Sequence, residues 1–287
     1  AAGYASALKE GTVTLTAIVD GMEYTVLVTV VDAPSEYPGE GTLEDPYRIS
    51  TATQFVTLQK EMKDGNTFEG KYFIQTADLN LNYSPQYTAM EDAGNTVFSG
   101  TYNGNGYTIH ATVSPTNSSF APPFFWYING TVVNTGFDVN IKGCASTSYG
   151  ICRQFTEGGR MINCYLTGTI VGNNAHTTIV GGTSQGATID NMYTYVVLEG
   201  AEPTNSGVSI KGGTTNHVDH FYYVDNGCKS SYPDGETCVS LEELEELSAT
   251  LTENTGQLSL DNIQLCSWYT RDDLPAMNHD GAYSVGA

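Results

Sequence analysis

The sequence predicts an all-β chain wound as a parallel β-helix (solenoid) with short capping helices. Three observations lead there: a composition low in charge, a repeat through the middle, and two amphipathic helical segments at its margins. Of 287 residues only 15% are charged, against about a quarter in an average soluble domain. Glycine, threonine, asparagine, tyrosine and valine fill the difference, which is the balance of a secreted β protein. The net charge is −21 with 11 Lys plus Arg. A polyanion would be repelled, so neither nucleic acid nor an anionic lipid face is expected as a partner. No run of about 18 apolar residues is present to insert into a membrane. The opening AAGYASALKEG lacks the apolar core of a signal peptide, so a mature form or an excised segment is expected.

From the N-terminus, ASALKEGTVTLTAIVDGMEYTVLVTVV alternates apolar and polar residues around Asp20-Gly21, a hairpin turn. Residues 1–32 form this β segment and VDAPSEYPGEG leads on as a linker at 33–40. The solenoid with an N-terminal helical cap and a C-terminal cap takes 41–278, and 279–287 are a tail. In ISTATQFVTLQKEMKDGN, Thr51 and Gln54 suit a capping box, and Phe55, Leu58 and Met62 make one face of a helix over the first coil. The stretch FSGTYNGNGYTI follows, with Gly104 and Gly106 supplying positive φ at a sharp corner. A phosphate-binding loop would need a following helix and a lysine; a β run follows instead.

The repeat runs from 125 to 226. VVNTGFDVNIKG, MINCYLTGTIVG, IDNMYTYVVLEG and VDHFYYVDNG superimpose so that Asn134, Asn163, Asn191 and His220 share a column, in steps of 29, 28 and 29 residues. Tyr165, Tyr193 and Tyr222 form an aromatic column two places on, with Phe137 one place out of register. Each segment follows a second short strand, and apolar residues alternate with period two rather than 3.6. Strands of that length separated by Gly/Asn/Ser turns fit stacked coils, in which equal side chains form ladders along the axis. After the repeat, Ser240 and Glu243 form a second capping box for SLEELEELSATLTENTG, with Leu241, Leu244, Leu247 and Leu251 as its buried stripe.

Chemistry is sparse. Acids on the repeat are Asp138, Asp190, Asp219 and Asp225, and bases are Lys142, Arg153, Arg160 and Lys211, scattered over different columns. Asp190 and Asp219 share nearly one column and are the residues a glycan-cleaving enzyme would use. In HVDH, alternation sends His217 and Asp219 to one face and His220 to the other, so three metal ligands do not converge. Asp78, Asn80 and Asn82 have the spacing of a calcium loop without its glycine and distal glutamate; strand termination is the alternative, and calcium is the one cofactor considered. Six cysteines allow disulfides: Cys228 with Cys238 across a turn-rich loop, then Cys152 with Cys164, with free buried thiols as the alternative.

GTLEDPYRISTATQFVTLQKEM, KYFIQTADLNL, FSGTYNGNGYTI and MINCYLTGTIVG together resemble the GLUG-motif right-handed parallel β-helix proteins on the surfaces of gut bacteria, from about Gly41 to Asn278. The naming motif appears as GICRQF and TIVGGT. The strand that commonly ends such β-helices is similar to LCSWYTRDDLPAMN. The N-terminal segment resembles the last strands of a bacterial group-2, intimin-like immunoglobulin-like module, a partial immunoglobulin-like β segment of about three strands. These resemblances imply a non-catalytic extracellular surface protein, a stiff rod for adhesion or filament assembly that meets a glycan or protein ligand. Strand completion of the partial module by a neighbouring subunit would give a homopolymer. The alternative is a carbohydrate-active enzyme or glycan-binding module acting through Asp190 and Asp219, or through outward aromatics of FFWYI, NMYTY and HFYYV.

Overall fold

The computed structural model describes residues 11–30, 37–83, 96–113, 124–144, 148–156, 158–172, 177–183, 186–199, 208–212, 217–224, 235–260 and 262–283. The chain divides into two compact units, Ala1–Pro38 and Gly39–Ala287. In the first, β1 (Gly11–Val19) pairs antiparallel with β2 (Met22–Val30), closing at Val19↔Met22. Asp20 and Gly21 take φ of 51° and 79°, the left-handed pair that a two-residue hairpin needs. Among the described residues this unit holds two strands, one fewer than the sequence pattern predicted. Ile18, Met22, Tyr24, Val26 and Leu27 are all exposed.

The second unit is a parallel β-solenoid. Its first, incomplete turn holds β3 (Tyr47–Ile49), helix α1 (Ala52–Lys63), β4 (Tyr72–Gln75) and β5 (Leu79–Tyr83). The next holds β6 (Val97–Phe98), β7 (Thr101–Asn103) and β8 (Thr108–Val113). Then come β9 (Phe125–Ile128), β10 (Thr131–Val133) and β11 (Gly136–Cys144), and after them β12 (Ser148–Tyr149), β13 (Cys152–Phe155) and β14 (Arg160–Gly172). The last turns are β15 (Thr177–Thr183) with β16 (Thr188–Glu199), and β17 (Val208–Gly212) with β18 (His217–Val224). Strand β19 (Glu236–Val239) adds to β18.

One sheet runs β3, β4, β7, β10, β14, β16, β18, β19, joined on its flank by β5, β8 and β11; the other runs β6, β9, β13, β15, with β12 and β17 on β15. Every ladder between turns is parallel. The corner of the long sheet tightens along the axis. Between β7 and β8 it takes residues 104–107, between β10 and β11 only Asn134 and Thr135, and in β14 and β16 one residue within a continuous strand. In the first of these corners Asn105 and Gly106 have positive φ (51° and 80°) but Gly104 does not. Gly104 is glycine for want of space, since a Cβ there would lie 2.6 Å from the Asn134 carbonyl oxygen.

Alternation puts large apolar side chains inside the coil. Phe73, Phe98, Tyr102 and Phe125 are fully buried, with Phe98 and Phe125 rings 5.3 Å apart. Helix α1 closes the first turn as its pattern predicts. Thr51 and Gln54 form the capping box, and Phe55, Leu58 and Met62 are buried, each burial contributing about 2 kcal/mol. The Phe55 ring meets Tyr102 and Phe125 edge-on at 5.8 and 5.9 Å.

The C-terminal region departs from the expected single helix and terminal strand. Ser240 and Glu243 cap α2 (Leu241–Glu245), and α3 (Ser248–Gln257) follows as a separate helix. Leu244, Leu247 and Leu251 are buried; Leu241 is exposed, because it lies in the first helical turn away from the packed face. Their leucines cluster with Tyr165, Tyr193 and Trp268 on the outer side of the long sheet. Strands β20 (Ile263–Gln264), β21 (Trp268–Arg271), β22 (Leu274–Met277) and β23 (Ala282–Tyr283) complete two small antiparallel pairs, β20 with β23 and β21 with β22. The expected tail after Asn278 therefore includes ordered structure. The Tyr283 hydroxyl donates to the Phe73 carbonyl at 2.6 Å, back at the first turn.

Candidate functional site

The repeat column is where the coil bends. Asn134, Asn163, Asn191 and His220 have φ of 51°, 54°, 50° and 47°. Asparagine tolerates this left-handed region better than other residues with a β-carbon, which is one reason it recurs there. Its amides form a ladder: Asn163 Nδ2 donates to Asn134 Oδ1 at 2.8 Å, and Asn191 Nδ2 to Asn163 Oδ1 at 2.7 Å. The ladder extends beyond the predicted members. Asn134 Nδ2 donates to Asn103 Oδ1 at 3.0 Å, and Asn254 Nδ2 from α3 to Asn191 Oδ1 at 3.1 Å. His220 keeps the backbone place but its side chain makes no ladder bond; its ring turns to Asp190, and Asn254 completes the row instead.

The C-terminal strap, residues 248–283, bonds the amides of Asn134, Asn163 and Asn191, whereas Asn103 Nδ2 at the start of the ladder is buried without a partner among the described residues. Asn134 Oδ1 accepts from the Cys266 amide, Asn163 Nδ2 donates to the Cys266 carbonyl, and Trp268 Nε1 donates to Asn163 Oδ1 at 2.7 Å. Asn191 Nδ2 donates to the Leu251 carbonyl. The tyrosine column is covered by the same strap. Tyr165 and Tyr193 stack at 5.4 Å and 11°, both within about 6 Å of Trp268. The Tyr193 hydroxyl donates to the Pro275 carbonyl, and Tyr222 packs on the cluster beside Asn254. These rings hold the protein's own chain and are not an open contact strip. Of the FFWYI aromatics, Phe125 lies inside the coil, while Trp126 and Tyr127 carry the Arg153 guanidinium at 5.1 and 5.6 Å. In the third turn the register partner of Tyr165 is Gly136, and Phe137 faces the interior opposite Leu166. That accounts for the offset of Phe137.

Asp190 and Asp219 are direct register partners on β16 and β18. The structure brings both histidines of HVDH to them, contrary to the alternation argument. His220 Nδ1 lies 2.9 Å from Asp190 Oδ1, and His217 Nε2 lies 3.6 Å from Asp190 Oδ2. The left-handed backbone at His220 keeps its side chain on the outer side instead of returning it to the interior. Asp219 Oδ1 accepts from the His220 backbone N–H at 2.9 Å. Asp225 lies outside the described residues. Among the described residues no group of three or more His, Cys, Asp or Glu has a metal-holding arrangement. At DLNLN, Asp78 Oδ1 accepts from the Thr108 amide, while Asn80 and Asn82 project outward from β5 between buried leucines. In the structure this segment is a strand with a side-chain cap.

Cys152 and Cys164 are both buried and free. They stand in different sheets: Cys152 pairs with Phe125 and Cys164 with Met192, so the proposed bridge between them does not form. Burial pushes the Cys164 thiol up to about 12 and that of Cys266 likewise to about 12. Cys238 is exposed and free, and Cys228 lies outside the described residues.

A second constellation lies between the solenoid flank and the β21–β22 hairpin, in a cleft of about 150 Å³. Its floor is a column of register partners, His110, Asp138 and Thr167. His110 Nδ1 is 3.0 Å from Asp138 Oδ2, and Thr167 Oγ1 donates to Asp138 Oδ1 at 3.1 Å. The hydrogen bond to Asp138 raises the His110 pKa, partly opposed by burial and by Arg271 and assisted by the Asp138 and Asp78 charges. Thr108 and Tyr165 share a 2.6 Å hydroxyl contact at the wall, and the hairpin contributes Arg271, Asp272, Leu274 and Pro275. His110 stands 28 residues before Asp138. Extending the repeat one turn upstream would have found it; Arg271 comes from the strap, to which the repeat gives no clue.

Fold and columns together define a parallel β-solenoid whose bend is sealed by its own C-terminal strap. No family model matches the chain, and neither a curated protein nor a solved structure matches it.

Proposed function

We propose that the chain is a non-catalytic extracellular bacterial surface protein of the GLUG-like, right-handed kind, a stiff solenoid for adhesion or for cell-surface or filament assembly. The observation that carries this reading is the asparagine ladder from Asn103 to Asn254, which ties successive turns to one another and to the strap. Such a ladder favours a rod that resists unwinding over a mobile catalytic surface. The acids of the enzymatic alternative support it too. The Asp190 carboxylate faces two histidines, and Asp219 braces a backbone amide. In this reading the N-terminal hairpin is the edge of an immunoglobulin-like module completed by further strands. Electron microscopy of native surface material, labelled with antibody to the solenoid, tests it. Labelled rods or filaments are the expected result; a label confined to the cell interior would refute it. Release of unsaturated sugars from polysaccharide, lost in Asp190→Ala or Asp219→Ala, would favour the enzyme instead.

A further inference from the structure

We propose that the cleft between the His110–Asp138–Thr167 column and the β21–β22 hairpin binds one ring of a neutral glycan. This rests on the adhesive reading above and assigns its glycan contact to a place. Volume restricts the choice. At about 150 Å³ the cleft is smaller than the roughly 300 Å³ at which pockets for drug-sized ligands begin, so it admits a single ring and not a folded segment of protein. The lining is two-sided. Leu274 and Pro275 give an apolar wall, and His110, Thr167, Arg271 and Asp272 give a polar one. A pyranose has the same division, with apolar C–H faces and a rim of hydroxyl groups.

The polar wall is also fixed in its chemistry. Asp138 uses one oxygen on His110 Nδ1 and the other on Thr167 Oγ1. It thereby orients the imidazole and leaves Nε2 as the ring nitrogen available to a ligand. Arg271 is exposed, with no ion pair among the described residues, and offers a planar donor fork to the cleft that Asp272 also lines. Adjacent donors and acceptors of this kind match the vicinal hydroxyls of a sugar.

Charge decides between neutral and acidic sugars. Arg271 and His110 face three nearby carboxylates, Asp78, Asp138 and Asp272. The chain as a whole carries −21. A uronate chain would approach against that field, whereas a neutral glycan meets no such barrier.

Isothermal titration of the full chain against gluco-, xylo-, manno- and galacto-oligosaccharides and an oligogalacturonide tests the assignment. At least one neutral series binds, and Arg271→Ala and Asp272→Asn each weaken it about tenfold or more at unchanged Tm. Neutral binding unaffected by both variants would overturn the cleft and leave the adhesive reading standing. Preference for the oligogalacturonide would overturn the neutral class. If no saccharide binds, the cleft assignment and the glycan part of the adhesive reading fall together, while the rod and its filament role are judged by microscopy.

Discussion

Asn163 carries more of the architecture than any other single side chain described. It donates to Asn134 and to the Cys266 carbonyl and accepts from Asn191 and Trp268, all on a fully buried left-handed residue. Asn163→Ala removes these bonds and leaves buried partners unpaired, so unfolding free energy falls by roughly 4 kcal/mol. Part of that is backbone strain. Asn163→Gly, free of the left-handed penalty of about 1 kcal/mol, loses correspondingly less in denaturant melts. Equal losses for the two variants would mean that the bend itself is unstrained. His110 makes a different prediction. Its pKa is raised in the folded state, so the stability it adds is fully present below its ordinary value of about 6.5 and is lost as pH rises through the raised value. The Tm difference between the parent chain and Asp138→Asn should therefore narrow from about pH 6 to pH 9. A constant gap would show that the pair does not titrate with folding.

At the level of elements, the strands were legible because alternation and spacing both survive in the sequence, and the helix caps because Ser/Thr and Glu/Gln stand three apart. Two features were not. The side of His220 was misread because alternation assumes an extended backbone, and a single left-handed residue reverses it. The strap was read as a terminal strand because its partners, the amides of the bend and the tyrosines beside them, are remote in sequence. Of the candidate sites, the predicted acid pair was legible from one shared column; the cleft was not, since it joins a column to a hairpin more than a hundred residues away. Gly136 shows how closely the coils are fitted to one another. A Cβ there would overlap the Tyr165 ring, which Tyr193 and Thr108 hold in place. Gly136→Ala is expected to cost roughly 2 kcal/mol by differential scanning calorimetry, and Gly136→Ala combined with Tyr165→Leu to recover part of it. No recovery would place the strain elsewhere.

For the whole molecule, the two units pose opposite problems. The solenoid buries its aromatic and amide columns under its own chain. The hairpin instead presents Tyr24, Val26 and Leu27 to solvent on a two-stranded sheet, a size that is marginal alone and prone to edge pairing. If strand completion by a second copy underlies assembly, sedimentation will show mass rising with concentration. Val26→Lys with Leu27→Lys should hold the chain monomeric without changing the melting of the solenoid. Association unchanged by that pair would remove the hairpin from assembly.

The route of the strap has a consequence for biogenesis. Tyr283 grips a carbonyl of the first coil, 210 residues upstream, so residues made later in synthesis seal ones made much earlier. Until they arrive, the bend amides lack their strap partners, and a nascent polypeptide presents an open seam along its side. The strap thus works as a zip fastener, drawn shut from the later coils back towards the first.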